Sequence, residues 1–172
     1  MHRLAAVPGS TSPGDGVVLI EQPAAAALVL SSADTDLAAL AAVLDRDPQP
    51  LGPGRELRGL NLAALQHPAV LDHYLRTSLQ GTELVIVRLL GGRSHWSYGL
   101  EQLQQWASAQ SGRALLVLAG TQEQERELLP LSSFEEDFTL ACGHCLRLGG
   151  AENVERLLGA LRLHLDGAVA PP

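Results

Sequence analysis

Between Glu83 and Glu101 the chain reads ELVIVRLLGGRSHWSYGLE, and the side chains able to do chemistry crowd into its second half. Gly91 and Gly92 let the backbone turn sharply and approach a ligand closely, since glycine adopts left-handed conformations without a side-chain clash. Arg93 offers a planar donor fork suited to a carboxylate or amide oxygen. His95 is of a type that titrates near neutrality and coordinates metals. Trp96 and Tyr98 carry flat faces for a conjugated ring and polar tips that orient it. With Arg88 at the end of the apolar run and Glu101 just past the loop, they make a candidate ligand-binding set: Arg88, Gly91, Gly92, Arg93, His95, Trp96, Tyr98 and Glu101. A plainer reading stays open, in which this is an ordinary strand-to-helix turn whose aromatics pack down as core plugs. No residue is assigned a catalytic role and none a metal.

Other chemistries are weaker. The loop is no dinucleotide fingerprint, because G-x-G-x-x-G is absent. Cys142-Gly143-His144-Cys145 has the spacing of a redox pair, but such a pair belongs at a helix N-terminus that lowers the thiol pKa. Here both cysteines fall late in an expected helix and continue its apolar stripe, which points to a buried structural role. His67 and His73 do not share a helix face, and Cys142, His144 and Cys145 lack a fourth ligand nearby, so a metal site is hard to assemble. Asp34 and Asp36 follow a strand, where helix capping explains them more simply than a bound cation.

Composition excludes more. All 12 basic residues are arginine, which removes P-loop and Schiff-base lysine chemistry. A net charge of −7 gives no electrostatic basis for gripping a phosphate backbone, so no nucleic-acid partner is expected. The longest apolar run, Ala24 to Leu30, is far short of the roughly 20 residues that span a bilayer, and no membrane partner is expected either. With no apolar h-region at its start and only two cysteines, the chain reads as soluble and cytoplasmic.

The elements that must carry the loop can be placed from periodicity. Residues 1–15 read as a loose lead-in, 16–166 as a single domain and 167–172 as a linker to a C-terminal remainder. Strands are expected at Val17–Ile20 and Leu28–Leu30, too close together for a parallel crossover and therefore antiparallel, with the first at an edge. Further strands are expected at Leu57–Leu62, from Glu83 through the apolar run, and at Ala114–Leu118. Helical stripes follow at Leu37–Leu44, from Pro68 to Leu79, at Leu100–Trp106, from Phe134 to Cys145 and at Val154–Leu165. Gly120–Glu127 is expected as an exposed loop, and Ser133-Phe134-Glu135-Glu136 as a capping box. The alternation gives an α/β fold: a mainly parallel sheet of about four to five strands flanked by helices, flavodoxin-like or Rossmann-like, with an antiparallel edge strand near the N-terminus.

Leu89-Leu90-Gly91-Gly92-Arg93-Ser94-His95-Trp96-Ser97-Tyr98-Gly99-Leu100-Glu101 closely resembles the N-terminal part of the large subunit of aerobic cobaltochelatase, the CobN family, which is related to the H subunit of magnesium chelatase. Met1-His2-Arg3-Leu4-Ala5-Ala6, Ile20-Glu21-Gln22-Pro23, Ala33-Asp34-Thr35-Asp36 and Gly149-Gly150-Ala151-Glu152-Asn153 resemble the same family in the same order. His95 departs from the pattern, which more often carries Tyr there. The resemblance implies a part in cobalamin biosynthesis: a large subunit that binds a corrin-type tetrapyrrole and, driven by ATP-hydrolysing AAA+ chelatase subunits, helps insert Co²⁺ into hydrogenobyrinic acid a,c-diamide. It implies the remainder of the large subunit as a further partner, no cofactor in this piece, and ATP and Co²⁺ handled elsewhere, so that the piece is inactive alone. Two other readings stand beside it: a free-standing flavodoxin-like module that binds a ligand or protein without catalysis, and a thiol oxidoreductase using Cys142.

Overall fold

The computed structural model describes residues 17–168 and 172, and the backbone of 7–11. Most of the expected lead-in, and residues 169–171 of the expected linker, lie outside the described residues. Within the lead-in, Val7–Thr11 forms strand β1. Strand β2 (Val18–Glu21) runs antiparallel to it. The antiparallel strand near the N-terminus is therefore present, but its partner is not Ala27–Ser31. That strand, β3, is parallel on one side to β4 (Leu57–Asn61) and on the other to β5 (Leu84–Leu89), which leaves it no free edge.

The main sheet is wholly parallel, in the order β4-β3-β5-β6, with β6 at Ala114–Ala119. Its helices are α1 (Asp34–Arg46), α2 (Pro68–Ser78), α3 (Ser97–Ser108), α4 (Gln122–Leu128), α5 (Glu136–Leu148) and α6 (Ala151–Leu165). Numbered within the sheet the order is 2-1-3-4, which is that of a flavodoxin-like fold.

Alternation along the strands explains why both faces are covered. Leu28, Leu30, Val85, Val87, Leu115 and Val117 enter one core with the apolar stripes of α2 and α3. Ala27, Val29, Leu84, Ile86, Leu116 and Leu118 enter the other with α1, α5 and α6. Every residue of β5 is buried, as an unbroken apolar run in a parallel sheet requires. Pro68 stands at the first position of α2, where its missing N–H is no loss, and the His67 side chain accepts a bond from Ala69 N.

Two local expectations are corrected. Part of the stretch Gly120–Glu127 is helical, as α4, because Leu128 at its end is buried and pins an otherwise polar segment of good helix formers against the core. The capping box does not form, since α5 begins with no side-chain cap. Ser133 Oγ instead accepts from Leu115 N at 3.0 Å and Ser132 Oγ from Val117 N at 2.8 Å, so both hydroxyls serve the outer edge of β6.

Cys142 and Cys145 sit inside α5 as free, buried thiols. Burial pushes the Cys142 thiol up to about 12, helped by its neighbour Cys145. Burial also raises Cys145. Since the thiolate is the nucleophile, both should be inert in the folded protein. At pH 8 a thiol-specific disulfide reagent should titrate neither cysteine in native buffer and both in denaturant. Rapid native reaction at Cys142 would contradict the burial.

Candidate functional site

β5 delivers the loop at the carboxyl edge of the sheet, where parallel α/β folds bind ligands. Gly91 and Gly92 have φ of 94° and 83°, in the region that favours glycine. Arg93–Trp96 then makes one 3-10 turn before α3 begins at Ser97. A Cβ on Gly91 would meet the His95 ring at 2.9 Å, so the ring lies folded over the glycine turn.

The loop's groups divide into two sets. Trp96 faces inward, 4% exposed, with its Nε1 donating to Leu65 O at 3.2 Å. A Cβ on Gly99 would sit 2.1 Å from that ring, so Gly99 exists to let the indole under the helix. Trp96 is thus a core plug beneath the loop. Arg93, His95, Tyr98 and Glu101 are exposed on the outside. Tyr98 Oη donates to Asp72 Oδ1 on α2 at 2.8 Å. That bond pushes its phenol pKa up, with the nearby charges of Asp72 and Glu101 adding to the effect. Tyr74, the other tyrosine, is pushed well above the ordinary phenol range by burial.

Arg88 lies at the end of β5, below the loop. Only 8% exposed, it donates from Nη1 to Asp36 Oδ1 at 2.6 Å, and Ser31 Oγ donates to Asp36 Oδ2 at 2.7 Å. Its Nη1 is committed to Asp36 inside the fold. Capping therefore does not account for Asp34 and Asp36: Ala33 stands at the N-cap with no side-chain bond. Asp36 neutralises a buried guanidinium, and Asp34 accepts from Asn61 Nδ2 at 2.6 Å. The backbone repeats the tie, since Ser32 N donates to Arg88 O at 3.1 Å and Leu90 N donates to Ser32 Oγ at 3.3 Å. The exits of β3, β4 and β5 are bound into one rim.

Asp36, Asp72 and Ser31 went unnoticed as partners in the sequence. For Asp36 a signal existed: an arginine ending an apolar, doubly covered strand must find an opposite charge, and the acidic turn after a neighbouring strand is the obvious source.

Comparison with known proteins follows this geometry. The chain is 33% identical to the aerobic cobaltochelatase subunit CobN of Pseudomonas aeruginosa over 153 residues, which is 89% of this chain. It is 32% identical to the same subunit of a Sinorhizobium species over 172 residues, 99% of the chain. The matches span only 12% and 13% of those relatives' lengths. No protein-family model matches, and no solved structure does. No helix among the described residues is long and apolar enough to cross a membrane.

Two outcomes test the geometry. Asp36→Ala, which strands the Arg88 charge, should lower stability by about 3–5 kcal/mol in urea unfolding; a loss below about 1 kcal/mol would show the pair to be dispensable. Asp72→Asn should bring the Tyr98 phenol down toward its ordinary value of about 10 when followed by ultraviolet titration. An unchanged titration would show that Asp72 does not hold the hydroxyl. The aligned stretch covers nearly all of the chain and places it as a homologue of one region of the aerobic cobaltochelatase subunit CobN.

Proposed function

We propose that the chain works as an N-terminal, non-catalytic domain of a cobaltochelatase large subunit, and that its Gly91–Glu101 rim contacts the periphery of a corrin-type macrocycle. In the assembled enzyme this subunit acts with ATP-hydrolysing AAA+ partners to insert Co²⁺ into hydrogenobyrinic acid a,c-diamide. The observation that carries the reading is the likeness to CobN, which runs along nearly the whole chain rather than through one motif. The geometry supports recognition in preference to bond-making. Arg93 supplies an exposed donor fork for a peripheral carboxylate or amide, and Tyr98 an exposed ring anchored through its hydroxyl. Trp96 serves from below by fixing the loop over the core. A chain without lysine also suits a division of labour in which ATP is handled by other subunits.

The strand order favours one second reading, that of a free-standing flavodoxin-like binding module, although fold alone carries no function. On that reading the chain would show no affinity for AAA+ chelatase subunits.

Titration of a Trp106→Phe form with hydrogenobyrinic acid a,c-diamide, following Trp96 fluorescence, tests the first reading. Saturable quenching is expected, weakened about tenfold by Arg93→Ala, as loss of one charge-assisted hydrogen bond implies. Quenching that is absent, or indifferent to Arg93, would overturn the macrocycle contact.

A further inference from the structure

We propose a second binding site, in the cleft between the exits of β5 and β6, where Arg88 and Arg147 receive a carboxylate or carboxamide group. The cleft holds about 490 Å³ and is lined by Arg88, Gly120, Thr121, Gln122, Glu123 and Arg147. That volume falls within the range of small-ligand sites, about 300–1,000 Å³. It opens at the carboxyl edge of the parallel sheet, and apart from Arg88 its lining belongs to elements other than the loop discussed above.

Unused donor capacity carries the argument. A guanidinium has five N–H donors. Arg88 is more than nine-tenths buried, gives Nη1 to Asp36, and leaves Nε without a partner. A buried donor left unpaired is costly, so native folds rarely keep one without a use. Arg147 lies across the cleft on α5, paired with Glu125, each side chain 18% exposed. Gly143, one turn before it, makes room: a Cβ there would come within 3.3 Å of Arg147 Nη1.

Charge decides the ligand class. Asp36 compensates Arg88, Glu125 compensates Arg147, and Glu123 adds a negative charge at the lining. No net positive charge remains to hold a phosphate or another polyanion. What remains is hydrogen-bond donation from two guanidinium groups and the Thr121 hydroxyl, which suits one or two acceptor oxygens. Beside them Leu90 is 41% exposed and lies over Gly120, where a Cβ would come within 2.3 Å of its Cδ2. The favoured ligand has an apolar body and a carboxylate or carboxamide edge. Such a group belongs either to a small acid or amide or to the rim of a tetrapyrrole.

Nitrogen-15 NMR of the whole 172-residue chain distinguishes these sources, with butyrate, butyramide and hydrogenobyrinic acid a,c-diamide as probes. Saturable shifts are expected at the backbone amides of Gly120–Glu123 and at the Nε–H groups of Arg88 and Arg147. The double variant Glu125→Gln/Arg147→Gln leaves neither charge of the pair stranded, and should bind at least tenfold more weakly while its spectrum elsewhere is unchanged. Response to the small probes assigns a small-ligand site; response to the tetrapyrrole alone assigns a macrocycle rim. Silence from all three at these resonances, equal binding by the double variant, or tighter binding of inorganic phosphate than of butyramide would overturn the proposal. Should macrocycle quenching at Trp96 persist while these resonances stay still, this site fails and the loop reading survives.

Discussion

A charge buried at the end of the central strands constrains the upper half of this molecule. Arg88 and Asp36 are both more than nine-tenths hidden from solvent, and neither is tolerable there alone. Their pairing needs β5, the N-terminal turn of α1 and the Ser31 hydroxyl at the end of β3 to be in place together. Such a pair contributes less net stability than an apolar packing of equal size, because each ion has been taken out of water. Its effect is geometric. It ties the start of the glycine loop to the start of α1, so the loop leaves the sheet in one direction.

The exposed part of the loop inherits that direction. A turn of positive-φ glycines would otherwise be loosely specified, but three contacts define it: the indole wedged against Gly99, the imidazole folded over Gly91, and the phenol held by Asp72. Two of these act from outside the core, and only the indole is buried. The rim is therefore a surface of polar groups on a fixed base.

Sequence patterns carried the layered fold and the position of the loop, since unbroken apolar runs and helical stripes are both local signals. Five strands fell where apolar runs placed them, but their order was not legible, because it depends on long-range pairing that sets β3 between β4 and β5. Some errors came where a side chain chose a distant partner over a near one. Ser133 has capping-box spacing but bonds to β6, and Asp36 has helix-start placement but answers Arg88. The candidate loop showed its composition in sequence but not its division. Nothing in the spacing of Trp96 and Tyr98 distinguishes inward from outward; that depends on Gly99 leaving room for one ring and on Asp72 waiting for the other. Arg147 and Glu125 escaped notice for the same reason, lying 22 residues apart and meeting only in space.

The hydroxyls along β6 have a further effect. A parallel sheet of this order commonly adds another strand at that flank. Here Ser132 and Ser133 occupy the amides of Val117 and Leu115, and Ser133 N returns a bond to Leu115 O at 2.8 Å. The ribbon is thereby blunted against growth by a foreign chain, guarding a Leu-Val-rich segment from amyloid-like stacking and domain exchange. That seal keeps this layer from joining the wrong neighbour.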